Sequence, residues 1–301
     1  MHTLITRLSV IAASCLAMAS AALAQQDFSK VEVKTEKLTD TIYMLVGAGG
    51  NVAVSAGPDA VFVIDDQFAP MAPKLKAAMA RISSKPVQFI LNTHFHFDHT
   101  GGNEIFAGEG ALIVAHDNVR RRMSSEQFMS FIGARQAASP KQALPVVTVA
   151  SQISFHLNGE EVQAFHVPAA HTDGDMVVHF RGSNVVHMGD TFFNGMYPFI
   201  DGSSGGTADG VVAAADRVLA LANEQTRIIP GHGPLASKAD LLAYRNMLAT
   251  VAQHIKDQRR AGKSDVDIRG AGITADFDAR FGNGFIKPEM FLQMMLGVIA
   301  R

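Results

Sequence analysis

The chain contains almost no cysteine and no tryptophan. Its 301 residues include one cysteine, no tryptophan and three tyrosines. The one cysteine, Cys15, lies in a segment that we expect to be removed on export, so the mature protein can form no disulfide. A packed core, bound metal ions or both must then stabilise the fold. Any metal ligand in the mature chain must accordingly be nitrogen or oxygen.

Long runs of basic residues are also missing. The formal net charge is −2, and the only basic cluster, Arg120-Arg121-Arg122, lies on a predicted helix. A surface that follows a phosphate backbone needs many more basic side chains. We therefore expect no nucleic-acid partner.

The first 24 residues have the composition of a signal peptide. Arg7 precedes an apolar, alanine-rich run over 8–23, and Ala22-Leu23-Ala24 forms a small-residue cleavage site. The run is too short for a transmembrane helix, so no stable membrane anchor is expected. We expect cleavage near Ala24 and a periplasmic or secreted protein.

Metal-ligand residues are concentrated in one short stretch. Three imidazoles and one carboxylate lie within six positions, in the order His94, Phe95, His96, Phe97, Asp98, His99. In an extended or tightly turned backbone, His94 and His96 face one way, while Asp98 and His99 can face a second point. Histidine and aspartate are typical Zn²⁺ ligands. The density predicts two adjacent metal ions rather than a histidine-rich surface turn.

Further histidines and aspartates follow predicted strands along the chain. Four short apolar runs each precede such residues: 87–91 before His94, 162–167 before His171, 185–188 before Asp190 and 227–229 before His232. In α/β folds, functional groups gather beyond the carboxyl ends of strands. The four segments are therefore expected to meet at one edge of the fold.

The order and spacing of these residues resemble the metallo-β-lactamase superfamily over roughly residues 40–240. The resemblance implies an α/β fold, a four-layer αββα sandwich with two Zn²⁺ ions per chain in a shallow cleft. His94, His96 and His171 would hold one ion, and Asp98, His99 and His232 the other. Asp190 would bridge the ions or lean towards the second.

The same resemblance implies an exported zinc-dependent hydrolase. A metal-bound hydroxide would cleave a small acyl or cyclic amide or ester bond, as in β-lactamases, and Asp98 would be catalytic by orienting the nucleophile and accepting its proton. The best-known β-lactamase subclass has a cysteine where this chain has Asp190. The complete ligand set is more similar to glyoxalase II and lactonase sites, so a lactonase or thiolesterase is the alternative. A mononuclear-iron sulfur dioxygenase is a third reading, since iron also accepts these ligands.

Apolar residues near the predicted ligands indicate a small-molecule substrate with an apolar portion. We expect the pocket to be lined by Phe68, Asn194, Met196 and Tyr197. Asp65 and Asp66 follow the predicted strand 61–64, and two interpretations are open. One of the two aspartates orients a ligand imidazole, or the pair only forms a turn.

The predicted domain organisation is simple. Residues 25–260 form the hydrolase domain, and 261–301 form a helical extension packed on it, with helices near 265–269 and 288–300. Residues 116–138 are predicted to be mostly helical, with His116 capping the start. Nothing in the sequence indicates the oligomeric state.

Overall fold

Two β-sheets organise the molecule. The computed structural model describes residues 27–299, so the predicted signal segment and Cys15 lie outside the described residues. The first sheet contains, in spatial order, β1 (Lys34–Lys37), β2 (Ile42–Val46), β3 (Val52–Ala56), β4 (Val61–Ile64), β5 (Val87–Leu91), β6 (Leu112–His116) and β9 (Val147–Val149). Its first four strands are antiparallel, and β4, β5, β6 and β9 run parallel to one another.

The second sheet is built from the later part of the chain. Its order is β10 (Gln152–Leu157), β11 (Glu160–His166), β12 (Met176–Phe180), β13 (Val185–His187) and β14 (Arg227–Ile229). Only β13 and β14 are parallel. A separate hairpin joins β7 (Gln127–Met129) to β8 (Ala134–Gln136).

Helices connect and cover these sheets. They are α1 (Ala72–Ala80), α2 (Phe97–Thr100), α3 (Asn103–Gly108), α4 (Asp117–Met123), α5 (Ala208–Leu221), α6 (Lys238–Arg260), α7 (Asp265–Arg269), α8 (Ala275–Phe281) and α9 (Pro288–Val298). Short 3₁₀ segments occur at Phe28–Lys30, Ala69–Met71, Lys141–Ala143, Gly189–Thr191 and Gly202–Ser204. Among residues 27–299, no helix is long and apolar enough to cross a membrane.

Three buried clusters show how the layers pack. Between the sheets, Phe62 and Ile64 of the first pack with Val178 and Phe180 of the second. Outside the first sheet, α1 covers β3 and β4. Outside the second sheet, α5, α6 and α9 share one large core. Because each sheet buries both faces, the layers are helix, sheet, sheet, helix, and the predicted fold class is confirmed.

The hairpin corrects one sequence-based prediction. Residues 116–138 are not mostly helical, because α4 ends at Met123 and the β7–β8 hairpin follows. Strand β7 alternates, with Met129 buried and Phe128 exposed, and Gly133 supplies a positive φ of 65° at the turn. The predicted cap is present: His116 accepts the N–H of Asn118 at the start of α4.

The C-terminal helices pack against the second sheet's outer core. Ile268, Phe281, Phe291 and Met295 are buried in the cluster that also contains α5 and α6. Helix α8 has no counterpart among the predicted elements, and α9 ends at Val298. The division of the chain at residue 260 stays a prediction.

Candidate metal centre

All seven predicted ligands converge at one edge of the sandwich. Their donor atoms form two groups, and within each group the atoms lie within 4.8 Å of one another. The first cluster comprises His94, His96, His171 and Asp190; the second cluster comprises Asp98, His99 and His232. The convergence agrees with the predicted meeting of four strand ends. That these residues bind metal ions stays a prediction.

The first cluster is enclosed in the protein. His94 and His171 are fully buried, and His96 is 4% exposed. His171 Nε2 lies 2.9 Å from His96 Nδ1, and the three rings are nearly perpendicular to one another, at 84–89°. Three imidazoles in this arrangement direct one nitrogen each towards a common point.

The second cluster is more open. His99 is fully buried, but the side chains of Asp98 and His232 are 21% and 25% exposed. Asp98 Oδ2 lies 3.3 Å from His232 Nε2 and 3.6 Å from His99 Nε2. A molecule that approaches from solvent therefore meets Asp98 and His232 first.

Asp190 lies between the two clusters. Its Oδ2 is 3.6 Å from His171 Nε2, and its Oδ1 is 3.1 Å from His99 Nε2 and 3.4 Å from His232 Nε2. Burial would raise the pKa of Asp190, but the neighbouring imidazoles outweigh burial and hold the pKa well below its usual range. A Cβ at Gly231 would overlap Asp190 Oδ1, so glycine is needed there.

Two residues of one loop hold the outer nitrogens of first-cluster ligands. Asp201 Oδ2 lies 3.2 Å from His96 Nε2, and the Phe199 carbonyl accepts from His171 Nδ1 at 2.7 Å. Such partners fix the ring orientation and leave the inner nitrogen free for a metal. Sequence reasoning missed Asp201, since it is 105 positions from His96 and its Gly-Ser-Ser neighbours resemble an ordinary turn.

Asp65 has the corresponding function for the second cluster. Its Oδ2 lies 2.8 Å from His99 Nδ1 and accepts the Thr93 hydroxyl, which in turn lies 3.1 Å from His94 Nδ1. Of the two aspartates considered, Asp65 orients a predicted ligand, while Asp66 accepts the Gly102 N–H.

The pKa shifts of the imidazoles differ between the two clusters. Burial lowers the pKa of His94 well below its usual range and that of His171 to about 4, so both rings are neutral at neutral pH. Burial would raise the pKa of Asp98, but His99 and His232 outweigh it and lower the pKa to about 2. In the second cluster, burial would lower the pKa of His99 and His232, but Asp190 and Asp98 outweigh burial and raise the pKa of His99 well above its usual range and that of His232 to about 9. Neutral imidazoles therefore belong to the first cluster, and a cation in the second would replace the protons of its imidazoles.

Six buried side-chain atoms have no hydrogen-bond partner among the described residues, and two of them lie in the clusters. These are His94 Nε2 and Asp190 Oδ1, the latter near His99 but without hydrogen-bond geometry. A buried polar atom without a partner costs about 1–3 kcal/mol. Both belong to the converging groups, and a nitrogen and oxygen donor set suits a divalent metal. The residues present therefore fit metal ions.

A comparison with protein families decides the assignment. The profile of the Metallo-beta-lactamase superfamily matches residues 43–232, more than half of the chain. The chain belongs to this superfamily. The membership confirms the predicted family and agrees with the predicted enzyme class, a metal-dependent hydrolase.

Curated relatives are distant. A probable hydroxyacylglutathione hydrolase from Schizosaccharomyces pombe is 28% identical over 207 residues, covering 66% of this chain and 70% of the relative. A hydroxyacylglutathione hydrolase from Pelagibacter ubique is 28% identical over 109 residues, covering 36% and 37%. The alpha subunit of 2,4-dinitroanisole O-demethylase from Nocardioides sp. is 22% identical over 163 residues, covering 54% and 47%. The chain thus spans less than half the length of the latter two relatives.

Solved structures share the fold. A metallo-beta-lactamase from Pontibacter korlensis superposes with a TM-score of 0.60 at 15% identity, covering 72% of this chain and 99% of that one. The DIM-1 metallo-beta-lactamase gives 0.59 at 17%, covering 73% and 99%. A double mutant of the sec-alkyl sulfatase PisA1 gives 0.62 at 15%, covering 79% and 45%. At these identities the likeness concerns the fold alone.

Of the predicted pocket residues, Phe68 lies at an open groove. Its ring packs on Phe28 and Phe97, with centroids 5.3 and 5.5 Å away. The groove encloses about 530 Å³ and extends to the β7–β8 hairpin. Phe97 directly precedes Asp98 in the chain, but none of the seven predicted ligands is among the residues that line the groove.

The other three predicted pocket residues follow Asp190 in the chain. Asn194 is buried, and its side-chain N–H donates to Pro234 O at 3.0 Å beside the His232 loop. Met196 is half-buried, and a Cβ at Gly284 would lie 2.5 Å from Met196 Cβ. Neither contact tests the pocket assignment, which stays a prediction for these two residues.

Tyr197 requires a correction. Its side chain is 1% exposed, and its hydroxyl donates to Asp278 Oδ1 at 2.7 Å and lies 3.3 Å from Thr274 O. The ring stacks on Phe291, with centroids 4.0 Å apart. Tyr197 is therefore a core residue against α8 and α9 rather than a wall of an open pocket.

Proposed function

We propose that this chain is an exported zinc-dependent hydrolase with two Zn²⁺ ions, which cleaves an acyl bond of a small substrate. The observation that carries the proposal is the convergence of seven donor groups into two clusters that share Asp190. Imidazole and carboxylate donors suit Zn²⁺. The first cluster would hold one ion and the second cluster the other. Export is inferred from the composition of residues 1–24.

The chain's own residues divide the work between the clusters. When bound, such ions supply Lewis acidity and lower the pKa of water. The first cluster is enclosed, and Asp201 and Phe199 fix the orientation of two of its imidazoles, so an ion there would be held in one position. Asp98 is ionised, partly exposed and 3.3 Å from His232 Nε2. It is placed to accept a proton from an attacking water and to pass it to the leaving group.

Esters, thiolesters and lactones are the best-supported substrates. A carboxylate, Asp190, lies between the clusters, and four curated relatives are named hydroxyacylglutathione hydrolases, one of them as probable. β-Lactams are the second candidate. They are favoured by the expected export, because β-lactams meet their targets outside the cytoplasm.

The apolar groove supports a substrate with an apolar acyl group. Phe28, Phe68 and Phe97 line it, and its volume of about 530 Å³ suits a small molecule. A Cβ at Gly49 would lie 3.1 Å from Phe68 Cδ2 and 3.2 Å from Asp98 Cβ. The groove wall and the predicted catalytic carboxylate are thus near neighbours. An acyl chain in the groove would place its carbonyl beside Asp98.

A substrate panel tests the proposal. The purified protein, shown by metal analysis to carry two zincs, would be assayed with a chromogenic thiolester, a lactone and a chromogenic cephalosporin, each with and without chelator. Turnover of the thiolester or lactone that the chelator abolishes is expected. Turnover of the cephalosporin alone would favour the second candidate. No turnover of any substrate by the two-zinc protein would contradict the proposal.

Metal analysis also distinguishes the zinc hydrolase from the alternative, a mononuclear-iron sulfur dioxygenase. One iron and no zinc per chain, with oxygen consumption on a persulfide substrate, would replace the hydrolase by a sulfur dioxygenase. His96→Ala is expected to abolish hydrolysis and remove one zinc. His254→Ala, the same substitution at an exposed position of α6, is the matched control and should change neither.

A further inference from the structure

One loop contacts both His96 and His171. Residues 192–204 follow Asp190, and within them Phe199 O accepts from His171 Nδ1 while Asp201 Oδ2 lies 3.2 Å from His96 Nε2. The Asp201 N–H also donates to His171 O at 2.9 Å. The backbone position of residues 199–201 therefore determines how two of the three first-cluster imidazoles are oriented.

The other side of this loop is held by the C-terminal segment, residues 261–299. The Tyr197 N–H donates to Phe281 O at 2.8 Å, and the Tyr197 hydroxyl donates to Asp278 Oδ1 at 2.7 Å. The Tyr197 ring lies flat on Phe291, at an interplanar angle of 9°. A partly buried hydrogen bond to a carboxylate and a stacked aromatic pair together hold this residue in place.

The C-terminal segment also contacts the part of the loop that lies closer to the predicted ligands. The Ile200 N–H points at Met294 Sδ, 3.0 Å away. A Cβ at Gly202 would lie 2.9 Å from a methyl carbon of Val298. Residues on both sides of Phe199 and directly after Asp201 thus touch the C-terminal segment.

We propose that the C-terminal segment is a clamp that sets the geometry of the first cluster by holding residues 197–202. Tyr197, Asp278 and Asp201 are its positioning residues. The superfamily match covers residues 43–232, so residues 197–202 lie within it and the C-terminal segment that holds them lies outside it. The inference rests on the proposed metal site, because the clamp acts on the affinity for the ion held by His96 and His171.

A purely structural role predicts a different result. If the C-terminal segment only closed the core, weakening it would lower the melting temperature and leave the zinc affinities unchanged. A clamp, in contrast, requires that weakening Tyr197 or Asp278 reduces the affinity for one ion selectively. Substituting a hydrogen-bond partner of a ligand imidazole typically lowers the metal affinity by about 10- to 100-fold.

The experiment measures zinc affinity without substrate. The metal-free purified protein would be titrated with Zn²⁺ in competition with a chromophoric chelator, so that two equivalents are resolved. Asp201→Asn is expected to weaken one equivalent by about 10- to 100-fold. Tyr197→Phe and Asp278→Asn, one step further from the ion, are expected to weaken the same equivalent by about three- to tenfold.

Two control variants separate a local from a general effect. Tyr43→Phe removes the same hydroxyl from a tyrosine on β2, far along the chain from the loop. Val54→Ala removes buried methyl groups from β3 and lowers stability in the first sheet's outer core. Both controls should retain wild-type affinity for both zinc equivalents.

The outcomes are separable. If Tyr197→Phe and Asp278→Asn lower the melting temperature but bind both zincs as tightly as Val54→Ala does, the clamp is wrong and the metal site stands. If the wild-type protein binds no zinc, the proposed function and the clamp fail together. If Tyr197→Phe does not fold, Asp278→Asn decides the matter, because Asp278 is only half-buried on α8.

Discussion

The two clusters differ in how much the protein encloses them. In the first cluster His94, His96 and His171 are at most 4% exposed, and the outer nitrogen of each ring faces Thr93, Asp201 or Phe199 O. In the second cluster the side chains of Asp98 and His232 are 21% and 25% exposed. Under the proposed function, the first cluster would hold its ion rigidly and the second would meet the substrate.

The charges differ as well. Three imidazoles and the carboxylate of Asp190 form the first cluster. The second has two imidazoles, its own carboxylate on Asp98 and Asp190 Oδ1 close by. Asp98 is therefore the one carboxylate of the site that both belongs to a cluster and is open to substrate. The substitutions of predicted ligands and of their hydrogen-bond partners below are each aimed at one cluster, and Phe68→Ala is aimed at the groove.

The largest effect is expected from His96→Ala. It removes a ligand from the enclosed cluster and leaves the Asp201 carboxylate buried without its imidazole. Activity should fall to the uncatalysed background, and one zinc per chain should be lost by metal analysis. Full activity with two zincs retained would show that the first cluster is not a metal site.

Asp98→Asn should break the open cluster while sparing the enclosed one. The amide cannot accept a proton, so kcat is expected to fall by about 10²- to 10⁴-fold, the usual loss for a general base. The ion of the first cluster should stay bound in a chelator-competition titration. A kcat within a few-fold of wild type would exclude Asp98 as the proton acceptor.

A pair of matched substitutions should sharpen the comparison. Asp65 orients His99 of the second cluster, and Asp201 orients His96 of the first. Asp65→Asn should weaken mainly the second-cluster ion, because Asp65 contacts His99 directly and His94 only through Thr93. Asp201→Asn should weaken the first-cluster ion, and each loss should be about 10- to 100-fold. Asparagine tolerates the positive φ of 62° at Asp65. If both variants weakened the same ion, the assignment of partners to clusters would be wrong.

The smallest effect is expected from Phe68→Ala in the groove. Losing a buried aromatic contact costs about 1.5–3 kcal/mol, so kcat/KM for a long-chain acyl substrate should fall by at least about tenfold. For the corresponding acetyl substrate it should hardly change, since that acyl group does not reach the ring. Equal losses for both substrates would show that the groove does not bind the acyl chain.

Local sequence was sufficient to predict which seven side chains gather at one edge of the fold. His94, His96, Asp98 and His99 are adjacent in the chain, and His171, Asp190 and His232 each follow a short apolar strand. Strand ends of an α/β fold meet at one edge, so order and spacing already indicate where these side chains gather. The four-layer class follows from the same alternation of strands and helices.

The surroundings of the ligands depended on contacts that sequence does not display. Asp201 reaches His96 only because the sheets bring distant loops together, and the Phe199 carbonyl is a backbone group with no sequence signature. Tyr197 follows a predicted ligand closely, yet α8 and α9 decide that it lies in the core. The hairpin at 127–136 was missed for a different reason: its short apolar run fits a helix as well as two strands.

Anomalous diffraction from zinc-loaded crystals tests the central claim most directly. The account predicts two peaks at the zinc edge, one within bonding distance of His94 Nε2, His96 Nδ1 and His171 Nε2, and one between Asp98, His99 and His232. The Asp190 carboxylate should lie between the two peaks. A single peak, or peaks away from these groups, would contradict the two-cluster metal centre.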